Sequence, residues 1–245
     1  MLENREGQAI PQVTFRTRKH SAWLDVTSAE IFDNRKVVVF ALPGAFTPTC
    51  SSAHVPRFNE LTPVFAANGV DEVICISVND AFVMDAWQQD QQADAIHFLP
   101  DGNGEFSEAM GMLVDKSTLG FGRRSWRYAM VVDNGVIEKM FIEADVPGDP
   151  FEVSDADTVL RYINPDVKLP ADVSLFTKPG CPFCAGAKDA LNEHGIAFAE
   201  IVLGRDVDLR TLRAVTGSDS VPQAFVDGRH IGDSESLIAW VEEQA

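Results

Sequence analysis

Residues 36–43, KVVVFALP, form an unbroken apolar run rich in β-branched side chains. A strand with no polar alternation must be covered on both faces, so it belongs inside a sheet carrying helices on each side. Residues 72–78, EVICISV, read the same way. Between and after them come helical and hairpin signals. Residues 81–92 read as a helix with Phe82, Val83, Ala86 and Trp87 on one face. Residues 126–143 read as a hairpin turning at Asn134-Gly135, a pair that supplies the two positive-φ positions of a type I′ turn. Residues 154–163 read as a helix opened by Ser154, with Asp157 three residues on in the capping-box manner.

The stretch NPDVKLPA, 164–171, holds two prolines and no periodicity, and reads as a linker. After it the pattern restarts: strand 173–177, helix 182–194, strand 197–203, helix 206–215, hairpin 224–232 turning at Asp227-Gly228, and helix 235–244. The expectation is an α/β chain of two domains, 1–163 and 172–245, each a mixed central sheet flanked by helices.

Of 245 residues, 45% are hydrophobic, and the formal charge is −17. A chain this acidic is repelled by phosphate backbones and anionic membranes, so neither nucleic acid nor a membrane is an expected partner. The first residues lack the apolar core of a signal peptide, and no stretch approaches the ~18 apolar residues of a span. A cytoplasmic, reducing setting is expected, where four cysteines are chemical rather than structural staples.

Cys50 lies in ALPGAFTPTCSSAHVP, 41–56, just beyond the first buried strand. Thr47 suits an N-cap and Pro48 a first helical position, which makes Cys50 the third helical residue. Its sulfur then faces free backbone N–H groups and the positive end of the helix dipole, which favour the nucleophilic thiolate. Taking a thiol from pKa ~8.5 to ~6 needs about 3.4 kcal/mol, and a helix end supplies at most ~2. A cation is therefore expected nearby, and large rates must come from positioning the second reactant. On this pattern alone an inert buried cysteine stays equally open. Cys75, between apolar neighbours of a central strand, reads as a packed core thiol.

The segment PGAFTPTCS resembles the peroxidatic loop of peroxiredoxins, Pro-x-x-x-Thr/Ser-x-x-Cys, here Pro43, Thr47 and Cys50. SVND (77–80), DGNGEF (101–106) and RYAMVVDNG (127–135) are similar to the type-five branch, so the resemblance covers about residues 8–163. It implies a thioredoxin-like fold and attack by Cys50 on a peroxide O–O bond to give a sulfenic acid. It implies that Thr47 hydrogen-bonds peroxide and sulfur, that Pro43 shields the site, and that Arg127 supplies the cation. Arg123 and Arg124 read as solvated or structural. Many members of the branch carry a resolving cysteine near the domain end, where this chain has GDPFEVSDAD, 148–157, with none.

FTKPGCPFCAGAK, 176–188, repeats the strand, proline and helix-start device, with Cys181 at the N-cap and Cys184 the third helical residue. Cys181, at the exposed end, is the expected low-pKa attacker. A C-x-x-C pair can be half of a zinc site, but no second pair or histidines at ligand spacing accompany it, and no metal is expected. Histidines 20, 54, 97, 194 and 230 read as ordinary surface or helix residues, and the Phe183 ring as packing. CPFC, SVPQAFVDG (220–228) and HIGDSESL (230–237) together resemble glutaredoxins over about residues 172–245. The resemblance implies a second thioredoxin-like domain with Cys181 as nucleophile and Cys184 as its dithiol partner. It implies a glutathione site in which Lys178 attracts a carboxylate, Val221 pairs with the backbone before a cis Pro222, and Gly232, Ser234 and Glu235 cradle the γ-glutamyl end. Asp233 and Ser236 depart from the glutaredoxin pattern, standing for a glycine and an aspartate.

The expected function is a thiol peroxidase acting on hydrogen peroxide and alkyl hydroperoxides through Cys50, with no permanently bound cofactor. Glutathione is the co-substrate, and the C-terminal domain recycles the glutathionylated cysteine. A homo-oligomer, dimer or tetramer, is expected, with domain contacts between chains, since eight residues of proline-containing linker span only about 25 Å. Rival readings are a redox sensor or chaperone signalling through oxidised Cys50, and a general glutathione-dependent disulfide reductase.

Overall fold

A computed structural model of the chain describes residues 2–19 and 22–244, which leaves His20 outside the described residues. The chain divides into two compact units, Met1–Leu169 and Pro170–Ala245.

In the first unit the strands are β1 (Thr14–Lys19), β2 (Ala22–Thr27), β3 (Lys36–Leu42), β4 (Glu72–Ser77), β5 (His97–Pro100), β6 (Leu113–Asp115), β7 (Arg123–Ser125), β8 (Tyr128–Asp133) and β9 (Val136–Ile142). The helices are α1 (Ser28–Phe32), α2 (Val55–Ala67), α3 (Ala81–Asp90), α4 (Glu105–Ala109) and α5 (Ala156–Ile163). The main sheet runs β5-β4-β3-β8-β9, parallel from β3 to β5 and antiparallel from β3 to β9, so it is mixed.

β3 sits at its centre, and the apolar run has the reason expected. Val38, Phe40 and Leu42 enter one core, and Val37, Val39 and Ala41 the other, all without exposed surface. Period-two alternation with both faces covered needs every residue apolar. The β8–β9 hairpin turns at Asn134 and Gly135, with φ of 47° and 73°.

Two local expectations are corrected. Helix α3 buries Ala81, Met84 and Trp87, an i, i+3, i+6 stripe, while Phe82 is 56% exposed and meets Trp23 edge-on at 5.7 Å. Ser154 does not cap α5: Asp155 does, accepting from Thr158 N, because the Ser154 hydroxyl is committed to Glu143. Within 164–171, Val167 and Leu169 pack on the first core and Ala171 on the second unit's core, and the two units divide inside this stretch. The β1–β2 and β6–β7 hairpins had no clear sequence signal.

The second unit contains β10 (Val173–Thr177), α6 (Pro182–Glu193), β11 (Ala199–Val202), α7 (Leu209–Thr216), β12 (Gln223–Val226), β13 (Arg229–Gly232) and α8 (Ser234–Gln244). Its sheet runs β11-β10-β12-β13, with β10 parallel to β11 and antiparallel to β12. Helices α6 and α8 supply Ala187, Leu191, Leu237 and Val241 to the core beneath. Both units are thioredoxin-like α/β sandwiches in outline, with a cysteine where the first central strand runs into a helix.

Candidate active site

β3 ends at Leu42 and the chain turns through Pro43–Thr47. Phe46 takes the left-handed region, φ 59°, and is 54% exposed. Asn79 holds the turn from the next strand end, accepting from Ala45 N at 3.0 Å and from the Ser77 hydroxyl at 2.8 Å. The Thr47 hydroxyl donates to Gly44 O at 2.8 Å, and its oxygen is not seen accepting from a helical N–H among the described residues. The helix nevertheless opens where expected: Pro48 is its first helical residue, and Ser51 N donates to Thr47 O at 3.0 Å.

From Cys50 to His54 the backbone widens into a π-helical turn, closed by Val55 N donating to Cys50 O. Pro56 follows, and its missing N–H removes the bond that Ser52 O would take in an α-helix. Such a turn is frequent at functional sites because it re-aims a side chain without breaking the helix. Cys50 has no exposed surface. The Trp87 indole N–H, donating to Ser51 Oγ at 3.0 Å, holds the neighbouring residue.

Arg127 lies just before β8 and is 1% exposed. Its Nη1 donates to His54 Nδ1 at 3.0 Å and its Nη2 to Asp149 Oδ1. Guanidinium can only donate, so His54 Nδ1 carries no proton. The proton sits on Nε2, which donates to Ser154 O at 3.0 Å. Burial, and then the Arg127 charge, lower the pKa of His54 to about 3, so the ring is neutral. Arg127 Nε has no partner among the described residues, which leaves one buried donor unpaired. Asp149 is 44% exposed; burial pushes its carboxyl up, but Arg127 and the Thr49 hydroxyl outweigh it and hold it below the usual range.

His54 therefore corrects its reading as an ordinary histidine. It is a buried acceptor on the same turn as Cys50. The available signal was its position four residues after Cys50, inside an otherwise small-residue turn. His97 pairs with Glu72, His194 bonds its own helix at Ala190 O, and His230 bonds Gln223. Arg123 pairs with Glu108, and Arg124 donates to the carbonyls of Phe121 and Val78; neither is placed at the Cys50 turn. Cys75 lies in register with Phe40 on β4, fully buried, and burial, then the neighbouring Cys50, push its thiol up.

In the second unit Cys181 N-caps α6, its sulfur accepting from Cys184 N at 3.1 Å. The two cysteines form a disulfide, Cα–Cα 5.2 Å. Cys184 is buried, Cys181 half-buried. Phe183 is 70% exposed, so it is a ring at the rim and not packing. The Val221–Pro222 bond is cis, and Val221 O lies 3.7 Å from Cys181 Sγ. Beside Cys181 runs an open groove bearing Lys178, Lys188, Arg205 and Glu200. Glu200 is bound by the Thr177 hydroxyl and Lys188.

Gly232 ends β13 at φ 124°, and a Cβ there would meet Ser236 Oγ at 2.6 Å. Ser234 is buried and Glu235 exposed at the start of α8. Asp233 caps that helix, its carboxylate accepting from Glu235 N, Ser236 N and the Ser236 hydroxyl. Among the described residues no group of three or more His, Cys, Asp or Glu could hold a metal ion, and no helix is long and apolar enough to cross a membrane.

Fold and site define a two-unit thiol oxidoreductase, with a buried cysteine at a helix start in the first unit, Cys50, and a C-x-x-C helix start in the second. The family described as Redoxin matches residues 5–160, and Glutaredoxin matches residues 173–231. The chain belongs to the peroxiredoxins and carries a glutaredoxin domain after the peroxiredoxin one. It is 59% identical to the hybrid peroxiredoxin hyPrx5 of Haemophilus influenzae over 96% of this chain and 98% of that one. Its first unit is similar to reduced Prx3 of Vibrio vulnificus solved in complex with hydrogen peroxide. That match has 42% identity and TM-score 0.62, over 66% of this chain and 99% of that chain. It is also similar to the 1-Cys peroxiredoxin of Plasmodium falciparum, with 32% identity and TM-score 0.64, over 66% of this chain and all of that one.

Proposed function

We propose that Cys50 reduces hydrogen peroxide and alkyl hydroperoxides, and that glutathione and the glutaredoxin domain return it to the thiol. One observation carries this reading. The two reactive thiol sites are complementary: Cys50 has no partner cysteine in 143–155, while Cys181 and Cys184 form a helix-start pair able to exchange thiols.

An acceptor and a donor support this reading of the peroxide step. The Thr47 proton is committed to Gly44, so its oxygen remains to accept from the peroxide O–H. The Arg127 guanidinium is held by His54 and Asp149 with Nε unpaired, a buried donor for the oxygen on which charge develops. Pro43, half-buried just after β3, is in this reading the residue that shields the turn from water. Cys50 thiolate attacks the terminal O–H oxygen of the peroxide and becomes the sulfenic acid as the O–O bond breaks, and the other oxygen leaves as hydroxide or alkoxide and takes a proton from solvent to become water or alcohol. The hydrogen peroxide bound by the Vibrio vulnificus relative supports the small substrate.

The return path uses glutathione twice. The first condenses with the sulfenic acid, releasing water. Cys181 attacks the mixed disulfide and takes the glutathionyl group, and the second glutathione frees Cys181 as glutathione disulfide. Lys178 and the groove cations suit the carboxylates of the tripeptide, and Val221, Pro222, Gly232, Ser234 and Glu235 frame it as in glutaredoxins. A setting where thiols are kept reduced, the cytoplasm, supplies that glutathione.

Transfer between chains of a homo-oligomer is part of this reading, because fusion raises local reductant concentration only where the tether reaches. Mixing Cys50→Ser with Cys181→Ser chains should restore turnover. The experiment that tests the whole is a peroxidase assay of the purified chain with glutathione, glutathione reductase and NADPH and no added glutaredoxin. Steady NADPH consumption is expected; a single stoichiometric burst would point to a sensor instead.

A further inference from the structure

The second unit departs from the glutaredoxin pattern at Asp233 and Ser236, and the fold joins the two departures. One oxygen of the Asp233 carboxylate accepts from Glu235 N at 3.1 Å, from Ser236 N at 3.3 Å and from the Ser236 hydroxyl at 3.4 Å. Asp233 O accepts from Leu237 N at 3.0 Å, so Asp233 is the N-cap of α8. The carboxylate that the pattern puts at 236 thus stands at 233, and the serine at 236 bonds to it. The other side is closely packed, since a Cβ at Gly232 would come within 2.6 Å of Ser236 Oγ.

A helix start takes an anion because its first N–H groups lack partners within the helix and the dipole is positive there. At α8 Asp233 has filled that place from within the chain. The α-carboxylate of a γ-glutamyl group arriving here meets N–H groups already in use and two exposed like charges, Asp233 and Glu235. The ammonium on the same carbon is attracted by both. The far end of the ligand is treated differently. In the groove beside Cys181, Lys188 is tied to Glu200 and Arg205 to Asp206, while Lys178 makes no ion pair among the described residues and is left for the glycyl carboxylate.

We propose that Asp233 determines the specificity of the Cys181 site. It occupies the anion seat of α8, so the second unit holds its thiol tripeptide by the glycyl carboxylate and the γ-glutamyl ammonium, and discriminates little on the α-carboxylate. This rests on the reading above that Cys181 handles glutathione. The substrate class is therefore wider than glutathione: cysteinyl peptides with a C-terminal carboxylate and an ammonium at the far end of the N-terminal acyl chain, with or without a carboxylate beside it. The chemistry is unchanged. Cys181 thiolate attacks the tripeptide sulfur of a mixed disulfide, the S–S bond breaks, and the displaced thiolate takes a proton from solvent. A second tripeptide thiolate attacks the new disulfide and leaves as tripeptide disulfide, with Cys181 returned as thiolate.

The test uses the full chain with Cys50→Ser, so that only Cys181 reports, and two disulfides of one fluorogenic cysteine peptide. One carries glutathione. The other carries γ-aminobutanoyl-cysteinyl-glycine, which is glutathione without its α-carboxylate. Release of the peptide thiol above the uncatalysed rate, with the matching tripeptide as reductant, gives kcat/KM for each. With Asp233 in place the two values should agree within about two-fold. Asp233→Gly should favour the glutathione disulfide by about ten-fold, because backbone N–H groups become available to a charged acceptor. Asp233→Gly combined with Ser236→Asp, which restores the glutaredoxin pattern, should favour it at least as strongly. Asp233→Asn keeps the cap without the charge and should fall between. A merely structural role would lower both values together and leave their ratio unmoved, and that result overturns the proposal. A ten-fold preference for the glutathione disulfide with Asp233 in place overturns it too, while leaving the glutathione reading intact. Failure of either disulfide to react above the uncatalysed rate overturns the glutathione reading, and the proposal falls with it.

Discussion

Arg127 and His54 meet at 3.0 Å inside the first unit, and the imidazole is the acceptor. A neutral ring orients the guanidinium without cancelling its charge, which a buried carboxylate in the same place would do. His54 also donates to Ser154 O, so its own orientation is set from the far side.

Replacing His54 by Ala strands Arg127 Nη1 in a site with no exposed surface. An unsatisfied buried donor costs about 1–3 kcal/mol, and the same loss of orientation should slow the peroxide step about ten- to a hundred-fold. Urea unfolding reads the first effect, and competition for peroxide against a reference peroxidase reads the second. His54→Gln, which restores an acceptor, should recover part of the rate.

Acid should weaken the first unit through His54. Its pKa of about 3 in the folded chain lies below the unfolded value of ~6.5, so between those values the unfolded chain binds the extra proton. Its contribution is full above ~6.5 and is lost as pH falls toward 3, with a slope of up to about 1.4 kcal/mol per pH unit. Glu143 and Asp149, also lowered, add a loss of the same sign once the unfolded carboxyls titrate. Asp85 and Asp101 are raised, by burial first, and act oppositely. The measurement is therefore a difference: urea midpoints of the wild type from pH 7.5 to 5 should fall more steeply than those of His54→Gln.

Cys181 and Cys184 should separate cleanly. Cys181→Ser should abolish glutathione-driven turnover while leaving one round of Cys50 oxidation. Cys184→Ser should keep turnover within about ten-fold of wild type, because a second glutathione can resolve Cys181. NADPH-coupled assays of both variants decide it, and a dead Cys184→Ser enzyme would require the dithiol route.

Asp233 stands where glutaredoxins carry a glycine, and it spends its carboxylate on the first N–H groups of α8. Asp233→Gly should destabilise the second unit modestly, by a few tenths to about 1 kcal/mol. If the γ-glutamyl end lies at this helix start, the same change should lower KM for glutathione, since a negative charge leaves the cradle. Thermal melts and glutathione titration of the assay measure the two effects.

What could be read along the chain was whatever short-range patterning dictates. The run at 36–43 marked the central strand because two covered faces demand it, and Asn134-Gly135 and Asp227-Gly228 marked hairpins because both residues take positive φ. Pro48 and Pro182 marked helix starts, each with a cysteine in the first turn. Phe82 and Ser154 were misread because a neighbour outside their own segment, Trp23 in one case and Glu143 in the other, decided where each side chain went.

The sequence by itself determined two α/β units and the two cysteine-bearing helix starts. Only the tertiary structure decided that His54 is a neutral buried acceptor, that Arg127 sits between it and Asp149, and that a loop without a thiol closes on Cys50. Those facts join residues 73, 22 and 100 positions apart. Strand and helix periodicity is local, whereas the partner of a buried charge is chosen by which groups the folded core leaves within hydrogen-bond reach.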